Sequence, residues 1–282
     1  MRRDRPHRSA ATGSEEMIRC VGLLKVYESP SGRVQAVRGV DLSIGRGRSV
    51  AVVGPSGSGK SSLLRLVSGI DDPTAGDVIV DGINISRLSS KDRRMTQAAK
   101  LSHVFQRPSD NLLEHLTVAE QVERVARARR AERGAVDDLL ERLELVERSG
   151  HLPSQLSGGE QQRVAFARAA VGDPAVIIAD EPTAELDAVS TARILDTIDE
   201  LSRRGITILV ATHDPLVLAH IDEIVMLRDG AVASVTRGGT ELAVIDGAGR
   251  LQLPLAVRSA FSEGRARMTW DPVREVLTVE AP

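Results

Sequence analysis

The chemistry-bearing residues of this chain are densest in Gly54-Pro55-Ser56-Gly57-Ser58-Gly59-Lys60-Ser61, which satisfies G-x-x-x-x-G-K-[ST]. The stretch is entered from the apolar run Ser49-Val50-Ala51-Val52-Val53 and left through Ser62-Leu63-Leu64-Arg65-Leu66-Val67, a strand-to-helix context. Gly54, Gly57 and Gly59 let the backbone curl so that successive N–H groups point inward, while the following helix turns its positive end to the same spot. An anion is then held largely by main chain. Lys60 adds a point charge suited to β- and γ-phosphates, and Ser61 a hydroxyl for Mg²⁺, a hard cation that prefers oxygen. The pattern predicts a phosphate-binding loop rather than a solvated glycine-rich turn.

Other residues could act on what that loop holds. Ala175-Val176-Ile177-Ile178-Ala179-Asp180-Glu181 is a buried-strand run ending in two acids, which are costly there unless they meet a cation. Asp180 suits a metal, through water, and Glu181 a water-activating base aimed at a γ-phosphate. Thr212-His213-Asp214 follows the strand Ile206 to Ala211, at the edge where open parallel sheets bind ligands. His213 there is either a satisfied structural residue or a phosphate contact. Leu156-Ser157-Gly158-Gly159-Glu160 opens a helix over Gln161 to about Val171. Ser157 and Glu160 have the spacing of a capping box, and the two glycines after the cap expose bare N–H groups, a second anion site. Gln106, just after the strand-like Ser102-His103-Val104-Phe105, means nothing alone, and Tyr27, the only tyrosine, reads on spacing as a half-buried strand-end aromatic.

The elements that must position these groups fit one large α/β domain plus a small appendix, for which 282 residues with 41% apolar content suffice. A net charge of −2 argues against a general nucleic-acid coat, and a lone cysteine, Cys20, excludes an internal disulfide and suits a reducing compartment. No apolar run approaches the roughly 18 residues of a membrane span, so a membrane role must come through a partner. Met1 to about Glu16, rich in Arg with Pro, Gly and Ser, reads as a disordered basic tail. Order is expected from Met17, with Ile18, Cys20, Gly22 and Leu24 at alternate positions of a first strand, and strands and turns alternating over Gly32 to Gly47. Gly69 to Gly76 is a turn cluster, and Asp77 to Gly82 a strand with a tight turn. From Ser89 the texture turns charged and helical, with Leu139, Leu140, Leu143 and Leu145 as an apolar stripe, giving a helical insert over about 89–165. Its run Arg124 to Arg130 resembles a nucleic-acid patch but reads better as a solvated helix face. Ala184-Glu185-Leu186-Asp187 leads into a helix with Ile194, Leu195, Ile198 and Leu201 on one face and Gly205 past its end.

Jointly, Met17 to about Arg237 resembles an ABC-type ATPase subunit, the nucleotide-binding domain of a transporter. The phosphate loop, Gln106 as Q-loop, Leu156 to Glu160 as signature, Val176 to Asp180 with Glu181 as Walker B, and His213 as switch histidine stand in family order. Gly54 to Lys60, Asn111-Leu112-Leu113 with Leu116-Thr117-Val118, and Glu181-Pro182-Thr183 are similar to the MacB/LolD branch, whose members drive lipoprotein release, macrolide or peptide efflux, or transmembrane signalling. The chain departs from the pattern with Glu160 where Gln is usual, Ser62 where Thr is common, and Ala184-Glu185 where the branch often has Gly-Asn. Glu160 is expected to face away from nucleotide as the capping partner.

The resemblance implies an α/β, P-loop NTPase fold of ABC type, with an antiparallel β subdomain and helical insert. It implies ATP and Mg²⁺ held by Gly54, Pro55, Ser56, Gly57, Ser58, Gly59, Lys60, Ser61 and Ser62, with the metal at Ser61, Gln106 and Asp180. Tyr27 would stack on adenine, Glu181 would polarise the attacking water, and His213 and Lys60 would steady the γ-phosphate. Two copies, or this chain and a related ATPase, would pair head to tail, each lending Ser157, Gly158 and Gly159 to the partner's nucleotide. Gln106 would report to the insert, where an integral-membrane permease docks, placing the chain on the cytoplasmic face of the inner membrane.

After Arg237, the segments Glu241 to Asp246, Arg250 to Pro254, Ala266 to Trp270 and Glu275 to Val279 read as two hairpins flanking a helical turn over Ala256 to Phe261. This small β-hairpin appendage, 238–282, cannot bury a core alone. Asp246 to Pro254 with Val257-Arg258 resembles the AbrB-type swapped hairpin, so the appendage is expected to clamp a dimer or to dock on its own ATPase domain. Competing functions are a soluble ABC ATPase acting on DNA or ribosomes, which the lack of a long coiled coil or second ATPase unit disfavours, and a DNA-binding ATP switch working through the tail.

Overall fold

In the computed structural model, residues 16–30, 32–184, 186–245, 249, 251–252, 261, 266–272 and 274–280 are described. The expected N-terminal tail, but for Glu16, and the expected helical turn over Ala256 to Phe261, but for Phe261, lie outside them. In chain order the strands are β1 (Glu16–Ser29), β2 (Gly32–Gly45), β3 (Ser49–Val53), β4 (Ala75–Val80), β5 (Ile83–Asn84), β6 (Leu101–Val104), β7 (Val176–Asp180), β8 (Thr207–Ala211), β9 (Glu223–Arg228), β10 (Ala231–Arg237), β11 (Thr240–Ala243), β12 (Arg267–Asp271) and β13 (Val276–Glu280). The helices are α1 (Lys60–Val67), α2 (Ser90–Lys100), α3 (Val118–Arg129), α4 (Ala135–Arg142), α5 (Gly158–Ala170), α6 (Ala188–Arg203) and α7 (Pro215–Leu218).

The central sheet has seven strands in the order β11-β10-β9-β3-β8-β7-β6, parallel from β9 to β6 and antiparallel through β10 and β11. Its central strands β3, β7 and β8 are largely apolar and buried because both faces are covered. Ile177, Ala179, Ile208 and Val210 pack into the core shared with α3, α5 and α6, while Val176, Ile178, Leu209 and Ala211 join the core shared with α1 and the second sheet. That second sheet, antiparallel in the order β2-β1-β4-β5, lies over β3 and α1.

Several expectations change here. The alternation Ile18, Cys20, Gly22, Leu24 breaks at Gly22, which takes φ +54 at a register shift between Cys20 and Leu23, so Leu23 is the buried residue beyond it. Gly32 to Gly45 is one strand, not an alternation of strands and turns. The helical stretch from Ser89 is interrupted by β6, a member of the central sheet. The leucine stripe holds, with Leu140, Leu143 and Leu145 buried and Leu139 packed against them. In the Arg124 to Arg130 run, Arg127 pairs with Glu123 at 3.3 Å in the manner of a solvated face. Arg129 instead turns inward, donating to the carbonyls of Ala98, Leu101, Ala169 and Val171 and to Ser102 Oγ. The expected boundary at Arg237 falls between β10 and β11, which are hydrogen-bonded, so the sheet continues to Ala243.

Candidate functional site

The site is built at the carboxyl ends of the neighbouring strands β7, β8 and β3. Beyond β3 the chain curls through Gly54, Gly57 and Gly59, with φ of +152°, +78° and +100°, into α1. Two of these glycines are demanded by contact as well as by dihedral. A Cβ on Gly54 would lie 2.1 Å from the Leu227 carbonyl of β9, and one on Gly59 would lie 2.2 Å from the Ala36 carbonyl of β2. The loop is thus seated between the two sheets. The Asp229-Gly230 turn joining β9 to β10 locks it further, as Gly230 N–H donates to Ser58 O at 3.0 Å and accepts Arg38 N–H at its own carbonyl at 2.8 Å. Within the curl Lys60 Nζ donates to Gly54 O at 2.8 Å and Pro55 O at 3.1 Å, which sets its ammonium on the concave side.

Asp180 closes β7, and Ser61 opens α1 against it. Burial pushes the Asp180 carboxyl above the usual range and the adjacent Glu181 adds to this, with the Ser61 hydroxyl and Lys60 opposing. A buried acid and a hydroxyl are hard oxygen donors, the set that Mg²⁺ takes together with phosphate oxygens. A cation there would remove the cost that raises the Asp180 carboxyl.

Glu181 is held at φ +47, in the left-handed region that non-glycine residues adopt only occasionally. Its N–H donates to Ala211 O at 2.8 Å, tying it to the end of β8. Its side chain is 12% exposed and its Oε1 lies 2.8 Å from Nδ1 of His213, which is 84% exposed. A carboxylate can only accept, so Nδ1 donates in this contact and Nε2 faces solvent. Thr183 Oγ1 donates to Asp214 Oδ2 at 2.9 Å, bracing the same pair of loops.

Ser157 is the N-cap of α5 in a complete capping box: Glu160 N–H donates to Ser157 Oγ at 3.2 Å and Ser157 N–H donates to Glu160 Oε2 at 2.8 Å. Arg148 Nε donates to the other Glu160 oxygen at 2.8 Å. The Ser157 N–H and then Arg148 hold this carboxyl below the usual carboxylate range. Glu160 therefore faces back over its own cap, leaving the exposed Gly158 to present the helix tip. Among the described residues no hydrogen bond joins Ser157, Gly158 or Gly159 to the phosphate loop, and Gln106 is exposed after β6 without a hydrogen bond to any described residue. Asn111 brackets that bend, accepting Phe105 N–H and donating to the carbonyls of Phe105 and Arg107.

Tyr27, near the end of β1, is half-buried; its phenol donates to Asp71 Oδ2 at 2.8 Å and meets the Ser62 hydroxyl of α1. Lys25 Nζ lies 4.9 Å from its ring centroid. Sequence reasoning missed Asp71, Ala36, Leu227 and Gly230. The Asp-Gly pair at 229 and 230 between apolar runs is a hairpin signal that could have found the last.

With this geometry in hand, the ABC transporter family model matches residues 37–184. The chain belongs to the ABC transporter family. It is 40% identical over 238 residues to the macrolide export ATP-binding/permease protein MacB 1/2 of Paracoccus denitrificans, covering 83% of this chain and 35% of that protein. It is 37% identical over 221 residues to the lipoprotein-releasing system ATP-binding protein LolD of Hyphomonas neptunium, covering 77% of this chain and 96% of that protein. The chain thus spans about a third of its MacB relative and nearly all of its LolD relative. Among solved structures it is similar to a dimeric ATP-binding cassette in a post-hydrolysis state bound to ADP and Pi, with TM-score 0.73, 35% identity, and coverage of 78% of this chain and 98% of that one. The ABC cassette fold is accordingly that of the described ATPase region, and among the described residues no helix is long and apolar enough to cross a membrane.

Proposed function

We propose that this chain is the ATP-hydrolysing subunit that energises a membrane permease of the MacB/LolD type from the cytoplasmic face of the inner membrane. The observation that carries the reading is the convergence of Asp180, Glu181 and His213 at the carboxyl ends of β7 and β8, beside the β3 end that opens into the phosphate loop. In the proposed mechanism the main chain of Gly54 to Gly59, with Lys60, Ser61 and Ser62, holds the triphosphate, and Tyr27 stacks on the base. Ser61, Asp180 and Gln106 would hold Mg²⁺, which when bound would supply positive charge to the phosphates. Glu181 takes a proton from the attacking water, and His213, oriented by the Glu181 contact, meets the γ-phosphate through Nε2.

Because, among the described residues, the α5 tip makes no hydrogen bond to its own phosphate loop, Ser157 and Gly159 are placed to serve the nucleotide of a second, head-to-tail copy. The dimeric cassette relative supports that assembly. To test the coupling, ATP hydrolysis by the full chain is measured with and without its co-purified permease in detergent. Glu181→Gln is expected to lower the rate by about 10²- to 10⁴-fold, the contribution of a general base. A variant within a few-fold of wild type refutes the base assignment.

The β12–β13 hairpin, with the chain after β11, is proposed as a dimerisation appendage; the strand expected over Glu241 to Asp246 pairs with β10 instead, and most of Asp246 to Pro254 lies outside the described residues. Met268 and Trp270 of β12 pair in register with Val279 and Leu277 of β13, placing four apolar side chains on one face. Met268, Trp270 and Leu277 are 68%, 56% and 47% exposed, and a lone two-stranded hairpin is marginal in water. Truncation after Ile245, which spares β11, should shift the nucleotide-free chain toward monomer by sedimentation; an unchanged equilibrium removes the clamp.

A further inference from the structure

Asp71 lies in the turn after α1, far in sequence from the phosphate loop's edge at Tyr27, and it grips two elements at once. Its Oδ2 accepts the Tyr27 phenol at 2.8 Å and Arg65 Nε at 3.0 Å, and its Oδ1 accepts Arg65 Nη2 at 3.0 Å. Asp71 N–H also returns to Arg65 O at 3.2 Å. The bidentate guanidinium fork fixes orientation as well as distance. Arg65 belongs to α1, whose first residues are Lys60 and Ser61. The same turn is stitched to β1 on the other side. Lys25 Nζ donates to Asp72 O at 2.6 Å, Val26 N–H to Thr74 Oγ1 at 3.0 Å, and Thr74 N–H to Leu24 O at 2.8 Å. The Asp71 side chain is 17% exposed, and the Arg65 hydrogen bond, then that of Tyr27, holds its carboxyl below the usual range.

We propose that Asp71 is a positioning residue for base recognition: it locks the Tyr27 ring to α1 and so sets the spacing between the base platform and the triphosphate cradle. The proposal rests on the reading of Tyr27 as the base-stacking residue. A ring free to swing about its two side-chain torsions would lose part of its stacking contact, whereas the phosphate end of the ligand would be untouched.

The test uses the full chain and two probes, Mg-ATP and Mg-tripolyphosphate, by titration calorimetry. Tyr27→Phe and Asp71→Asn are each expected to raise the dissociation constant for ATP about tenfold, the scale of one hydrogen bond to a charged group. The double variant should do no worse than Tyr27→Phe alone, because the phenol that Asp71 grips is already gone. Tripolyphosphate affinity should hold within about twofold. Tyr27→Phe leaves the Asp71–Arg65 pair intact, so it carries the test even if Asp71→Asn does not fold. An independent readout is the ultraviolet titration of the only tyrosine: the phenol stands above its ordinary range, first through burial and then through the Asp71 carboxylate, and Asp71→Asn should lower it. Equal weakening toward both probes, unchanged ATP affinity, or multiplying effects in the double variant would overturn the proposal. If Tyr27→Ala itself leaves ATP affinity intact, the stacking reading fails; if Tyr27→Ala weakens ATP and Asp71→Asn does not, only the positioning proposal fails.

Discussion

Gly59→Ala should be far more damaging than Gly57→Ala, although both glycines sit in the same loop at positive φ. At Gly57, φ is +78° and an added Cβ meets nothing within 4 Å, so the cost is the dihedral alone, about 1–2 kcal/mol. At Gly59, φ is +100° and the Cβ would lie 2.2 Å from the Ala36 carbonyl of β2, roughly 1 Å inside any tolerable contact. That oxygen is main chain within the antiparallel sheet and cannot swing aside. Moving either the loop or the strand adds about 1–3 kcal/mol of the kind seen on overpacking, for a total of about 2–5 kcal/mol. Urea unfolding of the full chain, followed by circular dichroism, reads the two losses directly, and unchanged slopes keep the comparison valid. Repeating the titration with Mg-ATP should restore little to Gly59→Ala, because its distorted entry to α1 misplaces Lys60. Losses equal within about 0.5 kcal/mol would refute the seating of the loop on β2.

Three further outcomes follow from particular side chains. Arg129→Ala should destabilise the chain by about 3 kcal/mol, since it strips a half-buried guanidinium from four carbonyls joining α2, β6 and the end of α5, and Arg129→Lys should recover under half of this for want of a fork; a urea midpoint that barely moves contradicts the inward placement. His103 is half-buried, and burial first, then Arg65, lowers its pKa to about 4. Its folded value lies below its unfolded one of about 6.5, so its stabilisation is whole above pH 6.5 and is lost as pH falls toward 4, up to about 3 kcal/mol. His103→Gln should flatten that part of the stability–pH curve, and an identical curve excludes the histidine as its source. Glu160→Gln should change ATP affinity less than about threefold, since the carboxylate points at Ser157 N–H and Arg148. A tenfold gain would mean that the charge faces the phosphate after all.

What was legible in the sequence was what local chemistry dictates. The phosphate loop, the Ser157–Glu160 cap and the acid-ended strand β7 each declare themselves within about ten residues, and each stands where its pattern put it. The seating of the loop was not legible. It depends on Ala36, Leu227 and Gly230, whose approach is set by two sheets meeting and leaves no mark in spacing. Asp71 was read only as part of a turn, because its phenol partner is 44 positions away. The face of β1 changed at Gly22 for a related reason: a bulge shifts every later side chain to the opposite face, and periodicity has no means of announcing it.

The central claim is that one nucleotide is held between the phosphate loop of one copy and the α5 tip of its twin, with Glu181 driving hydrolysis. The most direct measurement is the solution mass of Glu181→Gln in Mg-ATP by size-exclusion chromatography with multi-angle light scattering. In the Glu181→Gln chain truncated after Ile245, which lacks the C-terminal clamp, the account predicts an ATP-dependent dimer that returns to monomer when Ser157→Arg is added, with ATP still bound by the loop. A dimer that persists with Ser157→Arg in that truncated chain, or a truncated Glu181→Gln chain that stays monomeric in saturating ATP, would contradict it.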